Sequence, residues 1–107
     1  MAKILLLDAD CARAAELTMQ LQRRNHRVVA KSPSAIRGDL AEAISDAEIV
    51  LVNITADRPT DWDFLRSLCQ TAAEIQAGPQ ILAICDVYRG TAPRLRAEQL
   101  GCRFLYG

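Results

Sequence analysis

The chain has 107 residues, of which 50% are apolar and 24% charged, the size and composition of one globular domain. Its 13 basic and 13 acidic side chains balance, so no net field draws it towards nucleic acid, membranes or acidic substrates. The apolar runs are far shorter than the roughly 20 residues of a membrane span, and no signal peptide precedes residue 1. We therefore expect a cytoplasmic protein with no membrane partner.

The amino-terminal third predicts a strand, a helix and a second strand. Residues 3–7 (KILLL) are typical of a strand buried in a parallel sheet, and Asp8 and Asp10 follow it closely. Apolar residues then recur every three or four positions, which predicts an amphipathic helix over about 11–24. These apolar residues are Ala14, Leu17 and Leu21. Residues 27–30 (RVVA) predict the second strand.

Ser32 and Pro33 then supply a helix cap and a first-turn proline, which predicts a second helix that closes at Ser45 and Asp46. Its apolar stripe consists of Ile36, Leu40, Ala43 and Ile44. The third strand is predicted over residues 47–52 (AEIVLV), and it ends at Asn53.

The second half of the chain continues the alternation. Residues 55–63 have the composition of a loop, and a third helix is predicted from about residue 65 to 75. Trp62, in that loop, is either a partner-binding anchor or a cap on the helix. A fourth strand over 80–85 ends at Cys85. A helix with Leu95 and Leu100 and a fifth strand over 102–106 complete the chain.

Five strands that alternate with four helices predict one α/β domain over residues 1–107, with right-handed crossovers and a parallel sheet. Ligands of such sheets bind beyond the carboxyl ends of the strands, which should bring together Asp8, Asp10, Asn53 and Cys85. The turn after the first strand contains no glycine, so it excludes a dinucleotide site or a phosphate-binding loop.

The strand KILLLDAD with its acidic turn, and the order of the elements, resemble the receiver domains of bacterial response regulators over nearly the whole chain. The resemblance implies a flavodoxin-like three-layer sandwich with a sheet in the order 2-1-3-4-5. It also implies a role in two-component signal transduction rather than in catalysis.

In that family, adjacent acids after the first strand hold magnesium, and an aspartate at the end of the third strand accepts a phosphoryl group. The corresponding residues are Asp8, Ala9 and Asn53. An amide is a poor nucleophile and has no charge to share with a hard cation. Asn53 is therefore a vestigial phosphoacceptor, and the acidic pocket of Asp8, Ala9 and Asp10 should bind magnesium weakly or not at all. Asp8 and Asp10 are the weak candidates for a metal ligand.

The other positions implied by the resemblance also depart from the family pattern. Cys85 stands where receivers carry a hydroxyl that binds a phosphoryl oxygen, and their lysine would fall near Gly107. Phe104 resembles the aromatic switch residue or is a core residue of its strand. We therefore expect a pseudo-receiver that is not phosphorylated by the usual route and has no cofactor.

Receivers carry a fifth helix after the fifth strand, and here the sequence ends at residue 107. The resemblance therefore implies an uncovered face near strands one and five, and either the sequence is trimmed or a second copy or another domain covers that face. The expected partner is a protein, as a homodimer or as a fused or separate output module. Candidate interface residues are Trp62, Leu95, Leu100 and Tyr106.

Two other functions stay open. Arginines near two helices could contact nucleic acid, although arginines at a helix end also satisfy its dipole, and this domain alone is not expected to bind it. These residues are Arg23, Arg24, Arg27, Arg89, Arg94, Arg96 and Arg103. A thiol enzyme or redox sensor would need Cys85 or Cys11 as its reactive group, yet the only histidine, His26, is predicted at the opposite end of the sheet.

Overall fold

The computed structural model of the chain describes residues 2–36, 38–54, 58–76, 78–85, 99 and 103–106. They contain a five-stranded parallel sheet in the order β2-β1-β3-β4-β5, which confirms the predicted flavodoxin-like order. The strands are β1 (Lys3–Leu7), β2 (Arg27–Lys31), β3 (Ile49–Ile54), β4 (Gln80–Cys85) and β5 (Arg103–Tyr106). The described residues also form the helices α1 (Cys11–Gln22), α2 (Pro33–Ile36), α3 (Leu40–Ser45) and α4 (Pro59–Glu74).

Helix α1 begins where its sequence offers a cap. The Asp10 carboxylate accepts hydrogen bonds from the backbone N–H groups of Ala12 and Arg13, which satisfies two of the free donors of the first turn. After the helix, Asn25 adopts a left-handed φ of 66°, a conformation that asparagine tolerates better than most residues. The chain then turns into β2.

The two faces of the sheet have separate apolar clusters. One cluster lies between α1 and the sheet and consists of Ile4, Leu6, Ala14 and Leu51. The larger cluster lies between the other face and α2, α3 and α4, and includes Leu5, Leu7, Ile36, Ile44, Val50, Val52, Leu65 and Leu68. Neighbouring residues of β1 and β3 therefore point to opposite faces, and both faces are covered by helix, as the apolar sequence of these strands predicts.

The predicted second helix is wrong as a single element, because the structure forms α2 and α3 separately. Gly38 lies in a turn between them, and the Asp39 side chain caps α3 by accepting a hydrogen bond of 3.0 Å from the Glu42 N–H. An aspartate three residues before a glutamate is a helix-start pattern. This cap begins a new helix inside the apolar stripe, and the stripe alone does not reveal it.

Helix α4 begins six residues before the predicted position, because Pro59 occupies its first turn, where a missing N–H costs nothing. Trp62 therefore lies on the helix and not in a loop, and it is only 2% exposed. Its side chain packs in the larger cluster with Leu65 and Leu68. The prediction that Trp62 is an interface residue is wrong, because the core has already buried its surface.

The predicted helix with Leu95 and Leu100 lies outside the described residues, apart from residue 99, which is helical. Among the residues that the structure describes, no helix is both long enough and apolar enough to cross a membrane.

Candidate functional site

The carboxyl ends of β1 and β3 place two polar side chains in contact. Leu7 pairs with Val52, so the next residues along each strand, Asp8 and Asn53, are neighbours. Both are buried, with 3% and 8% of their surface exposed. The Asn53 side-chain nitrogen Nδ2 donates a hydrogen bond of 3.2 Å to Asp8 Oδ2. The predicted meeting of Asp8 and Asn53 at this edge of the sheet is therefore present in the structure.

A third residue, Arg13, completes this site. Its Nε lies 2.7 Å from Asp8 Oδ2 and its Nη2 lies 2.7 Å from Asp8 Oδ1, so the guanidinium holds both carboxylate oxygens. This bidentate geometry is the strongest form of an arginine–carboxylate pair. The Asp8 side chain is fully buried, whereas that of Arg13 is 35% exposed. The fold thus places the positive charge of Arg13 against the Asp8 carboxylate of the predicted acidic pocket.

Arg13 was missed in the sequence, where it looks like one more polar position on an amphipathic helix. One signal was available. Arg13 lies in the first turn of α1, where the helix dipole disfavours a cation, and that turn carries no acidic residue. An arginine at such a position needs a compensating anion, and Asp8 is the buried carboxylate five residues earlier.

Both oxygens of the Asp8 carboxylate accept hydrogen bonds in this arrangement. Burial raises its pKa. This effect is outweighed by the hydrogen bonds and charge of Arg13, the N–H of Asp10 and the amide of Asn53, which all lower the pKa. The Asp10 N–H donates to Asp8 Oδ1 at 2.9 Å. The net effect is a pKa below the ordinary aspartate value. Asp8 therefore stays charged at neutral pH, with its charge neutralised by Arg13.

Asp10 does not join Asp8 as a second pocket acid. Its Oδ1 caps α1 by accepting from the N–H groups of Ala12 and Arg13, and the residue is exposed. Ala9 between them is also exposed and offers only a methyl group. Of the predicted acidic pocket, one buried carboxylate remains at the end of β1, and the other acid serves the helix.

Asn53 keeps one unused hydrogen-bonding atom. Its Oδ1 is buried, and none of the described residues donates to it. The amide orientation is set by Asp8, since turning it over would place two oxygens against each other. The acceptor-only end of the amide therefore faces away from Asp8.

The described residues at this site do not fit the magnesium ion that the resemblance to receivers implies. Magnesium requires several oxygen ligands in nearly octahedral geometry. Both oxygens of Asp8 are taken by Arg13, and Asn53 turns its N–H₂ group, not its oxygen, towards this carboxylate. In the described part of the chain, no three His, Cys, Asp or Glu side chains form a group that could hold a metal.

The remaining predicted site residues are placed by backbone only, or lie outside the described residues. Cys85 is the last residue of β4 and pairs with Ile54, one position beyond Asn53. Phe104 and Tyr106 lie in β5, paired with Ala83 and Cys85. Leu95, Leu100 and Gly107 lie outside the described residues, together with Arg89, Arg94 and Arg96.

The residues of the thiol alternative lie apart. Cys11 is exposed at the start of α1, whereas His26 precedes β2 at the other end of the sheet. The Nδ1 atom of His26 accepts a hydrogen bond of 3.1 Å from the Ala2 N–H, which ties the chain start to the turn before β2. Cys11 and His26 therefore do not form a nucleophile–base pair.

Comparison with known proteins identifies the fold through structure and not through sequence. No family model matches the chain, and no curated protein sequence matches it. A pilus assembly-related protein of Burkholderia pseudomallei superposes with a TM-score of 0.78 at 18% identity, over 99% of this chain and 78% of its own. A response-regulator receiver domain of Clostridium thermocellum gives 0.76 at 16% identity, over 99% and 82%.

The chain has the receiver fold. A response regulator of Burkholderia pseudomallei that carries a phosphorylated aspartic acid and a calcium ion has the same fold, with a TM-score of 0.69 at 21% identity. The superposition spans 99% of this chain and 59% of that protein. The resemblance of the sequence to receivers is therefore confirmed at the level of the fold, and its sheet order is that of the receiver fold.

Proposed function

We propose that this receiver-fold domain is a pseudo-receiver, which takes part in signal transduction by docking to a protein and is not phosphorylated at position 53. The observation that carries the proposal is the Arg13–Asp8 ion pair beside Asn53. In a phosphorylated receiver, the crevice must hold a divalent cation and a nucleophilic carboxylate. Here a guanidinium neutralises the buried acid, and an amide stands where the nucleophile is needed.

Charge balance supports the same proposal. A receiver pocket with several carboxylates repels itself until a metal or a proton neutralises it. Among the described residues, this crevice holds one buried carboxylate with one arginine on it, and these two charges neutralise each other without any added ion. The Asp8–Arg13 pair itself therefore creates no electrostatic demand for magnesium. The domain would keep one conformation where a conventional receiver alternates between two.

The output of such a domain is contact with another protein. We propose that the partner is a second copy of the chain or an output module, fused or separate, whose activity depends on docking. The domain would then be a fixed protein-binding element without enzymatic activity of its own.

The proposal is tested with a small phosphodonor, acetyl phosphate, in the presence of MgCl₂, followed by intact-mass measurement. The wild-type chain is expected to stay unmodified, because the amide of Asn53 cannot form an acyl phosphate. A phosphoryl group on the wild-type chain would overturn the proposal, and peptide mapping would then decide between Asp8 and Asp10 as acceptor. A conventional receiver domain treated in parallel shows that the donor is active.

A further inference from the structure

Strand β2 is an edge of the sheet, and one row of its backbone groups is open. It pairs with β1 alone among the described strands. The Arg27 N–H donates to Ala2 and the Lys31 carbonyl accepts from Asp8, so these alternate residues direct their backbone groups towards β1. Val28 and Ala30, between them, direct theirs to the outer edge. An extended chain can pair with such an edge.

The side chains beside this edge form a groove. Arg27, Val29 and Lys31 alternate along β2 and lie on the face covered by α3, because Val29 pairs with Leu5 of the larger cluster. A groove of about 340 Å³ opens there between the strands and α3. Its lining includes Lys3, Arg27, Val29, Lys31, Ala43 and Ala47.

The groove has an apolar centre and a basic rim. Val29 is 55% exposed, an unusual state for a large apolar residue in a strand, and Ala43 and Ala47 lie across from it. No described acid forms an ion pair with Lys3, Arg27 or Lys31. The single acid of the lining, Asp46, leaves an excess of positive charge around the groove.

A second copy of the chain is a poor occupant of this edge. Antiparallel pairing of two β2 strands about Val29 would set Arg27 of one copy opposite Lys31 of the other. Like charges directly opposite one another destabilise a strand pair, and basic residues on edge strands are a common protection against self-association.

We propose that the β2 edge binds an extended acidic segment of a partner protein, which adds a strand to the sheet. The segment would have the pattern acid-x-apolar-x-acid. Its two acids would pair with Arg27 and Lys31, which are two residues on either side of Val29, and its apolar residue would contact Val29. The backbone of the segment would bond to Val28 and Ala30. This binding would require no phosphorylation of the chain.

A protein segment fits this surface better than nucleic acid does. The cations alternate with an apolar residue along a strand edge that offers backbone donors and acceptors. Single-stranded nucleic acid is usually held by aromatic side chains on which the bases stack, and the described lining of the groove contains no aromatic residue.

The test uses the full chain labelled with ¹⁵N and the capped peptide Ser-Asp-Thr-Val-Thr-Asp-Ser. Amide shift changes are expected at Val28 to Lys31, with weaker binding of a peptide that has lysine in place of aspartate. Methylation of the peptide backbone nitrogens on the paired edge should abolish binding, since strand addition requires those N–H groups. Equal binding of the acidic and basic peptides, or shifts confined to other surfaces, would overturn the proposal.

Charge-reversed variants locate the cations. Reversal of the groove pair (Arg27→Glu with Lys31→Glu) should lower the affinity for the acidic peptide by about tenfold or more. The matched control reverses two exposed arginines at the end of α1 (Arg23→Glu with Arg24→Glu), and it should change the affinity little. Equal loss in both variants would show a general charge effect and contradict the proposed groove. Binding of a single-stranded oligonucleotide in place of the peptide would also overturn it.

Discussion

Two nitrogens of Arg13 donate hydrogen bonds to the buried carboxylate of Asp8, each 2.7 Å from a different oxygen. The arginine lies in the first turn of α1, where the helix dipole is unfavourable for a cation, so its position depends on this acid. The acid in turn is fully buried and depends on the arginine for neutralisation. The two residues are therefore coupled, and the crevice of this receiver fold has a cation built into its own chain.

Truncation of the arginine should expose this coupling. Arg13→Ala leaves a buried charge whose remaining partners among the described residues are the Asp10 N–H and the Asn53 amide. We expect a loss of about 2 kcal/mol in the free energy of unfolding, below the full cost of breaking a buried pair because Arg13 is partly exposed. Urea unfolding at neutral pH measures it.

The matched control is Arg66→Ala, which removes an exposed arginine 3.9 Å from Asp63 on α4. Exposed pairs of this kind contribute little, so the change should stay below about 0.5 kcal/mol. If both alanine variants lose equal stability, the Asp8 pair has no special role in the fold.

The pKa of Asp8 gives a pH prediction with a definite sign. Its folded pKa lies below the ordinary value of about 3.9, so the unfolded chain binds the proton more tightly. The ionised carboxylate therefore gives its full stabilisation at any pH above the ordinary aspartate pKa. This stabilisation is lost as the pH falls through the lowered pKa of the folded state. The stability difference between wild type and Asp8→Asn should be constant near neutral pH and shrink in acid. A difference that grows in acid would contradict the lowered pKa, and carboxyl NMR titration measures it directly.

The sequence predicts most of this fold because a short apolar run marks each strand and apolar periodicity marks the helices. Strands β1 and β4 have the predicted bounds, and β3 is shifted by two residues towards Asn53. The break between α2 and α3 was missed because an apolar stripe can continue across two helices. Its cause is local, in the side-chain cap of Asp39, which periodicity does not detect.

The candidate site is less predictable than the fold. The predicted strand order makes β1 and β3 neighbours, so the sequence predicts that Asp8 and Asn53 lie together. The role of Arg13 depends on the direction of one side chain from a helix onto a strand end. Composition and spacing give no such direction, although the first-turn position of this arginine indicates that it has an anionic partner.

Restoration of the crevice should restore metal binding. In wild type, millimolar MgCl₂ should not raise the melting temperature above that in KCl of equal ionic strength, because Arg13 holds both Asp8 oxygens. The triple variant Ala9→Asp, Arg13→Ala, Asn53→Asp removes the guanidinium and supplies two carboxylates. Magnesium should stabilise it by ligand linkage, and acetyl phosphate should label it. A rise in the wild-type melting temperature specific to magnesium would contradict this account of the site.

Burial of Trp62 gives a spectroscopic prediction, since it is the only tryptophan of the chain. Its fluorescence should resist quenching by iodide in the folded protein and become accessible in urea. Trp62→Ala should cost about 3–5 kcal/mol, as a large core truncation does. Met19→Ala, at an exposed position on α1, should stay within about 0.5 kcal/mol. Quenching of folded wild type to the unfolded level would place Trp62 on the surface instead.

Two glycines should respond oppositely to the same substitution. A Cβ added at Gly78 would collide with the backbone carbonyl oxygen of Ala72 and would lie 3.1 Å from that of Ile75, at the end of α4. Backbone atoms cannot turn away, so Gly78→Ala should cost about 1–3 kcal/mol. A Cβ at Gly38 meets no atom within 4 Å, so Gly38→Ala should be neutral or stabilise by up to about 1 kcal/mol through the unfolded chain. Urea midpoints at an unchanged slope measure both, and a tolerated alanine at position 78 would show that the chain after α4 can move away from the helix.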